Sequence, residues 1–260
     1  MIFEILTIFP GMFSSPLEES IVGKARDRGL VQVRLHNIRD FAEDKHQMTD
    51  DRPFGGGEGM VMKPEPIVSA LRAITAGGPS AKIVLLTPQG RLFNQEIARE
   101  MSRFERLILI CGRYEGVDER VAEHFTDDQI SVGDYILTGG ELAAMVVVDA
   151  VARLLPGVLG NEGSAFADSF SQTVLEHPQY TRPQHFEGMS VPEVLLCGNH
   201  ESVRRWRRGQ ALLRTSLRRP DLFARLNLTG EDEALLESAR RELEKAVSGE
   251  REKTATDNCS

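Results

Sequence analysis

The sequence predicts an α/β fold with a mostly parallel sheet, followed by a small α-helical C-terminal domain. Short apolar segments alternate with helix-like segments up to Leu155, which is the pattern of βαβ units. After residue 160 the strand-like segments stop and two long helical patterns remain. With 260 residues, of which 41% are hydrophobic, the chain has enough apolar material for one large domain or two modest ones.

Four apolar segments are predicted to form the strands of the sheet. The first, Ile2–Phe9, reads IFEILTIF and is almost entirely apolar, which suits a strand covered by helices on both faces. The other three are Val31–Ile38, Ala81–Thr87 and Arg106–Gly112.

Helices are predicted between these strands and after the last of them. They cover Pro16–Arg28, Pro64–Thr75, Asn94–Phe104, Val117–Phe125 and Glu141–Leu155. The last of these stops at Pro156 and Gly157, as a helix does near such residues.

The chain changes in character after Gly160. Residues 161–173 are small and polar without periodicity, which predicts a flexible linker. Two helices follow, and each has an apolar face. These faces are Val203, Trp206, Gln210, Leu213 and Leu217 within Asn199–Leu217, and Leu236, Ala239 and Leu243 within Thr229–Val247, which opens with a Thr229-x-x-Asp232 capping box. We therefore expect a sheet domain at 1–160, the linker at 161–173, a helical domain at 174–248 and a frayed tail at 249–260.

Charge is distributed unevenly along the chain. The formal net charge is -8, yet residues 199–225 hold eight arginines and only two acidic residues, a local charge of +6. A basic segment on an acidic chain indicates either a polyanionic partner or an ordinary solvated helix face, and charge alone does not decide between them.

The cysteines and the apolar runs exclude several classes of protein. Cys111, Cys197 and Cys259 lie far apart with no C-x-x-C pair, so neither a disulfide framework nor a thiolate zinc site is indicated, and a reducing cytoplasm fits best. The apolar run Leu142–Val148 is far too short to cross a membrane. The N-terminal segment lacks the early basic residues of a signal peptide.

Glycine-rich turns follow the predicted strands at the edge where a parallel sheet binds its ligands. These turns are Pro88–Gly90, Arg113–Gly116 and the segment Ser131–Gly140, which reads SVGDYILTGG. Glycine permits positive φ and close backbone approach, so the three turns could surround one small molecule or could be ordinary turns of an α/β domain.

Phosphate-binding motifs are missing from the sequence. It contains no G-x-x-x-x-G-K-[ST], and no G-x-G-x-x-G lies between a strand and a helix, which argues against ATP hydrolysis and dinucleotide redox chemistry. The glycine-rich stretch Asp50–Pro64 could lie against a planar ligand or form a flexible loop, and its spacing alone leaves both open.

Seven motifs together resemble one family. They are DDRPFGGGEGMVMKPEP, LLTPQG, CGRYEGVDER, SVGDYILTGGELAAM, LLPGVLG, HPQYTRP and VPEVLLCGNHESVRRWRR, in that order. The chain is similar over residues 1 to about 225 to the bacterial tRNA (guanine-37-N1)-methyltransferases of the SPOUT superfamily. This resemblance implies a deep trefoil knot in the sheet domain, which topology rules would not propose because knots are almost absent from proteins.

The resemblance also implies S-adenosyl-L-methionine as the methyl donor, bound by the glycine-rich turns. The residues that match the family's cofactor loops are Leu86, Thr87, Pro88, Gly112, Tyr114, Glu115, Val132, Gly133, Asp134, Tyr135, Ile136, Leu137, Gly139 and Gly140. A carboxylate such as Glu115 would favour the positive sulfonium.

By the same resemblance, Asp168 is the general base and Arg153 supports the target guanine or its neighbour. Guanine N1 must lose its proton before it can attack a methyl group, which calls for a base near N1 and a cation near O6. Mg²⁺ is a second cofactor that the resemblance allows, although the scattered histidines show no ligand set and we assign no metal residues.

The implied partners are tRNA and a second copy of the chain, with each active site shared between the two chains. Arg204, Arg205 and Arg208 are the residues expected to contact tRNA phosphates. Two other functions stay open from the residues: a related SPOUT methyltransferase that acts on ribosomal RNA, and a non-catalytic RNA-binding protein. The presence of Asp168 and Arg153 argues against the latter.

Overall fold

The structure is a computed structural model that describes residues 1–159, 169–170 and 174–257. The chain divides into two compact units, residues 1–165 and 166–260. The expected linker 161–173, including Asp168, lies almost entirely outside the described residues.

All the predicted strands and helices form in the predicted order, with ends that differ by a few residues. The strands are β1 (Ile2–Thr7), β2 (Gln32–Asn37), β3 (Asp50–Asp51), β4 (Val61–Met62), β5 (Lys82–Leu92), β6 (Arg106–Cys111), β7 (Asp128–Ser131), β8 (His185–Phe186) and β9 (Met189–Ser190). The helices are α1 (Ser20–Asp27), α2 (Pro64–Thr75), α3 (Gln95–Met101), α4 (Glu119–Phe125), α5 (Glu141–Ala152), α6 (His200–Arg218), α7 (Pro220–Phe223) and α8 (Gly230–Asp257). Single 3₁₀ turns cover Pro10–Phe13, Ile38–Phe41 and Glu193–Leu195. The elements β3, β4, β7, β8, β9 and α7 were not predicted.

The first unit is a mixed α/β domain with a central parallel sheet, as the sequence predicts. Its strand order is β2-β1-β6-β5-β7, and every pairing in the sheet is parallel. The register places Ile5 of β1 opposite Leu35 on one side and Leu109 on the other. The strand β7 was not predicted, because three of the four residues of its sequence DQIS are polar and give no apolar run.

Helices cover both faces of this sheet. Along β6, Leu107 and Leu109 point into one apolar cluster, which includes Val147 of α5. Ile108 points into the opposite cluster, which includes residues of α2 and α4. All six residues of β6 are buried, so the continuous apolar run reflects a strand buried on both faces.

The second unit packs α6 against α8. Leu212, Leu213, Leu236 and Ala239 form its core. The predicted capping box is confirmed, because the Asp232 backbone N–H donates to Thr229 Oγ1 over 3.1 Å and the Thr229 N–H donates to the Asp232 carboxylate over 3.3 Å.

Several details of the second unit differ from the prediction. Leu217 and Leu243 are exposed although both fall on the predicted apolar faces, and neither belongs to the core of the unit. The buried residues of α6 are Gly209, Ala211, Leu212, Leu213 and Thr215, so only Leu213 of the predicted face is buried. The short strands β8 and β9 form a two-stranded antiparallel ladder where the sequence showed no strand signal. The helix α8 continues to Asp257, past the predicted end, in a segment of good helix formers.

Candidate cofactor cleft

Three loops meet at the carboxyl ends of β5, β6 and β7 and enclose a cleft of about 510 Å³. This size lies within the range of small-molecule sites. Of the residues matched to the family's cofactor loops, those that line the cleft are Leu86, Thr87, Pro88, Gly112, Tyr114, Glu115, Val132, Gly133, Tyr135, Ile136, Leu137, Gly139 and Gly140. Asp134 is exposed and does not line it.

The first loop leaves the sheet as a bulge in β5. Leu86 and Arg91 both stand in register with Ile130 of β7, so the residues between them leave the ladder and approach the cleft. A side chain at Gly90 would collide with the backbone of Gln129 and Ile130. The close approach of the two strands therefore requires glycine at this position.

The second and third loops are in direct backbone contact. The N–H of Gly140 donates to the carbonyl oxygen of Gly112 over 2.9 Å. A Cβ atom at Gly140 would lie 2.7 Å from Cys111 Cα, a distance that side-chain atoms do not tolerate. Any larger residue at Gly140 would have to separate these two loops.

The third loop exposes apolar side chains on the wall of the cleft. Ser131 Oγ donates to Gly133 O over 3.1 Å, and the Tyr135 hydroxyl donates to Val132 O over 3.1 Å, so the loop folds upon itself. Tyr135 is 56% exposed and Ile136 is 83% exposed. Large exposed apolar groups beside a concave surface are typical of a ligand site.

A buried ion pair that the sequence did not predict fixes the base of the cleft. The Glu141 carboxylate is fully buried and accepts hydrogen bonds from Thr7 Oγ1 over 2.7 Å and from Arg113 Nε over 2.9 Å. The Arg113 guanidinium also donates to Thr138 O over 3.1 Å and lies 4.6 Å above the Phe9 ring. The pair thus joins the second and third loops to the end of β1.

The glycine-rich stretch of residues 50–64 lies along the second loop. It forms the β3–β4 ladder, and Met60 O accepts the N–H of Glu115 over 3.0 Å. Gly59 has a φ of +84°, and a Cβ atom there would lie 2.5 Å from a carboxylate oxygen of Glu115. The stretch is therefore a folded support of this loop, a role that neither of the two alternatives left open by its spacing named.

Two carboxylates face the cleft without an ion-pair partner among the described residues. They belong to Glu115 and Glu119, whereas the positive charge of Arg113 is balanced by Glu141. Cys111 lies directly beneath, and burial together with the nearby Glu141 charge raises the pKa of its thiol well above the ordinary value. The cleft is consequently suited to a cationic ligand, and the protonated thiol is not a nucleophile.

Of the two residues matched to the catalytic positions, only Arg153 is described, and it lies away from the cleft. Arg153 follows the last turn of α5, and twelve residues at about 1.5 Å each place it about 18 Å from Glu141, where the helix meets the cleft. Asp168 is outside the described residues.

The three arginines expected to contact tRNA are all engaged in ion pairs on α6. Arg204 binds Glu201 over 2.6 Å, Arg208 binds Asp232 over 2.7 Å, and Arg205 lies 3.8 Å from Glu231. Their side chains are partly or largely exposed.

Two features are absent from the described ranges. No group of three or more His, Cys, Asp or Glu residues there could hold a metal ion. Likewise, no helix in residues 1–159, 169–170 and 174–257 has both the length and the apolar character needed to span a membrane.

Comparison with known proteins decides the family. The profile described as tRNA (Guanine-1)-methyltransferase TrmD matches residues 1–225. The chain belongs to this family. A tRNA (guanine-N(1)-)-methyltransferase of Syntrophotalea carbinolica is 57% identical over 250 residues, which cover 96% of this chain and all of that protein.

Other members of the tRNA (guanine-1)-methyltransferase family match nearly as well. Proteins of the same name from Geotalea uraniireducens and Geobacter sulfurreducens are 56% and 54% identical, and each match covers 93% of this chain. The matches cover 98% and 99% of those proteins.

Proposed function

We propose that this protein transfers a methyl group from S-adenosyl-L-methionine to N1 of guanine-37 in tRNA, on the 3′ side of the anticodon. The observation that carries the proposal is the convergence of the three loops on one cleft, in a chain whose relatives bear the name tRNA (guanine-N(1)-)-methyltransferase. Family membership supports the reaction, and the cleft supports a site for it.

The cleft residues fit S-adenosyl-L-methionine. Backbone amides and carbonyls of the glycine turns can read an adenine edge, and Tyr135 and Ile136 offer apolar surface. The carboxylates of Glu115 and Glu119 favour the positive charge of a sulfonium. When bound, this cofactor supplies an electrophilic methyl group.

The protein must prepare guanine as a nucleophile. Guanine N1 carries a proton and its lone pair is part of the lactam, so we assign removal of that proton to the Asp168 carboxylate. Negative charge then accumulates toward O6, and Arg153 would stabilise it. Mg²⁺ is a further cofactor that the family resemblance allows, but the described residues hold no ligand cluster for it and we derive no step from it.

We further propose a homodimer whose active sites are shared. Leu142 and Val146 are exposed on α5, and the exposed Phe9 and Met12 lie at the neighbouring Pro10–Phe13 turn. A two-fold axis that pairs this apolar surface with its copy covers it in both chains. If the two α5 helices pack antiparallel, Arg153 of the partner subunit comes to the cleft end of this chain's helix.

The remaining parts of the proposal follow the family. The sheet domain at residues 1–160 would carry the SPOUT trefoil knot, residues 161–173 a linker that brings Asp168 to the partner's cleft, and residues 174–248 the tRNA-binding helical domain with Arg204, Arg205 and Arg208. We place the protein in the cytoplasm with its tRNA substrate, which accords with its widely spaced cysteines.

Transfer of label from S-adenosyl-L-methionine to defined RNAs tests this function. We expect label in an unmodified tRNA transcript with guanine at position 37, and background levels with adenine there or with ribosomal RNA. Label in ribosomal RNA alone would show a different SPOUT substrate, and no label in any RNA would show a binding protein without catalysis.

A further inference from the structure

The helical unit contains a second cleft, of about 390 Å³, between the segment 177–184, the turn near Leu195 and the helix α6. Its charged lining residues are Arg182 and Arg207, and the lining contains no carboxylate. Within the described residues neither arginine has a hydrogen-bond or ion-pair partner. Two unbalanced guanidinium groups in one concave surface form a site for an anion.

Arg204 and Arg208 of the same helix differ in this respect. A bidentate phosphate contact through Nε and Nη2 of Arg204 or Arg208 must displace the carboxylate of Glu201 or Asp232, which already binds these two donors. Asp232 also accepts the N–H of Thr229 at the start of α8, so its displacement would disturb a helix cap as well. Arg182 and Arg207 bind a phosphate without such a loss.

The neighbouring cleft on α6 has the opposite character. It is lined by Glu193, Glu201 and Glu242 together with a single arginine, Arg205. Three carboxylates against one guanidinium repel a polyanion. The two clefts therefore differ in charge, and only the first suits a phosphate.

An aromatic ring completes the first cleft. Tyr180 lines it and is 49% exposed, and its ring lies 6.4 Å from that of Trp206 at an interplanar angle of 51°. Exposed aromatic rings beside arginines stack on the bases of unpaired nucleotides. The cleft thus offers a surface for a base next to a site for its phosphate.

We infer that this cleft binds one unpaired nucleotide of the tRNA, with its phosphate held by Arg182 and Arg207 and its base stacked on Tyr180. The inference rests on the proposed function, because it takes tRNA as the ligand. It assigns the strongest phosphate contacts of the helical unit to these two arginines rather than to Arg204, Arg205 and Arg208.

Binding of an unmodified tRNA transcript to the full-length protein over a series of salt concentrations tests the assignment. We expect Arg182→Ala and Arg207→Ala each to weaken binding at least 10-fold and to reduce the slope of log affinity against log salt by about 1. Arg207→Lys keeps the charge and should keep the slope. Tyr180→Ala should weaken binding with an unchanged slope, because stacking releases no counterions.

Arg218→Ala is the matched control, since it removes the same charge from an exposed position of the same helix that lines neither cleft. We expect it to weaken binding less than 3-fold. Equal binding by wild type and the Arg182→Ala, Arg207→Ala double variant, or a larger loss with Arg218→Ala, would overturn the assignment. Circular dichroism and thermal melting of each variant confirm that it is folded.

Methyl transfer in the same preparations separates this inference from the proposed function. We expect the double variant to raise the KM for tRNA while kcat at saturating tRNA changes less than 3-fold. If wild type transfers no methyl group to tRNA, the proposed function fails. If wild type is active and the double variant has the same KM, only the assignment of the cleft fails.

Discussion

Arg113 and Glu141 form a buried ion pair, with Nε and Oε2 2.9 Å apart, across 28 residues of sequence. Arg113 belongs to the second loop of the cofactor cleft, and Glu141 opens the helix that follows the third loop. Because Glu141 also accepts a hydrogen bond from Thr7, the pair fixes both loops relative to β1. The shape of the cleft thus depends on a contact outside its glycine motifs.

Replacement of Glu141 with Ala should reduce both stability and cofactor binding. Arg113, whose side chain is 14% exposed, would lose its charge partner, which we expect to cost about 1.5–3 kcal/mol of the free energy of unfolding. We expect calorimetry to show affinity for S-adenosyl-L-methionine at least 10-fold lower, and urea unfolding to show the lost stability. Glu119→Gln, at an exposed carboxylate of the same cleft, is the control for stability. Unchanged cofactor affinity in Glu141→Ala would remove the pair from cleft positioning.

A methyl group at Gly140 should damage the cleft, whereas one at Gly77 should not. The new Cβ atom of Gly140→Ala would lie 2.7 Å from Cys111 Cα, while nothing lies within 4 Å of a Cβ atom at Gly77. We expect Gly140→Ala to lose about 1–3 kcal/mol of stability and most of its affinity for S-adenosyl-L-methionine. The two alanine variants are compared by thermal melting and calorimetry, and similar results for both would contradict the role given to Gly140.

Much of the sheet domain follows from the sequence, because its strands are continuous apolar runs and glycine turns follow them. The strand β7 could not be predicted in this way because DQIS has too few apolar residues. The Arg113–Glu141 pair could not be predicted because the fold must first bring two separate turns together. Leu217 and Leu243 were predicted to be buried and are exposed, because helical periodicity does not determine which side of a helix its neighbour covers. Likewise, the free and paired arginines of α6 look alike in the sequence.

Acid should unfold the sheet domain in part through Glu4, a buried carboxylate on β1 that is far from the cofactor cleft. Burial alone would raise the pKa of Glu4, but hydrogen bonds from His36 and Arg106, with their charges, hold it below the ordinary value of 4.5. Glu4 therefore contributes stability that is fully present above pH 4.5 and is lost as pH falls through its lower pKa in the folded state.

Glu4→Gln should lower stability at pH 7 by about 3–5 kcal/mol, because Arg106 stays buried without a charge partner. The variant should also lose this part of the acid dependence when urea unfolding is measured from pH 7 to pH 3. Glu18→Gln, at an exposed position, serves as the control. A variant whose stability falls with acid as steeply as that of wild type would show that Glu4 is not responsible.

Asp168→Asn should lower the rate of methyl transfer by about 10²–10⁴, because the amide keeps the size of the side chain and loses the base. Cofactor affinity should change little. Gly140→Val blocks the cofactor loops instead, so each homodimer should be nearly inactive by itself.

Mixing the two variants tests whether each active site takes residues from both chains. About half of the dimers formed by co-refolding are mixed. If the active sites are shared, each mixed dimer has one complete site of its two, so roughly a quarter of wild-type activity should return. If Asp168 serves the cleft of its own chain, no mixed dimer has a complete site. Background activity in a sample with demonstrated mixed dimers would contradict the shared site and leave the reaction unaffected.

The identity and position of the methylated nucleoside test the proposed methyl transfer to guanine-37 most directly. A tRNA transcript with guanine at position 37 is incubated with the protein and S-adenosyl-L-methionine, digested, and analysed by mass spectrometry of nucleosides and of nuclease fragments. We expect 1-methylguanosine, one per tRNA, in the fragment that contains position 37. A methyl group on a ribose, on another atom of guanine or at another position of the tRNA would contradict the proposed function.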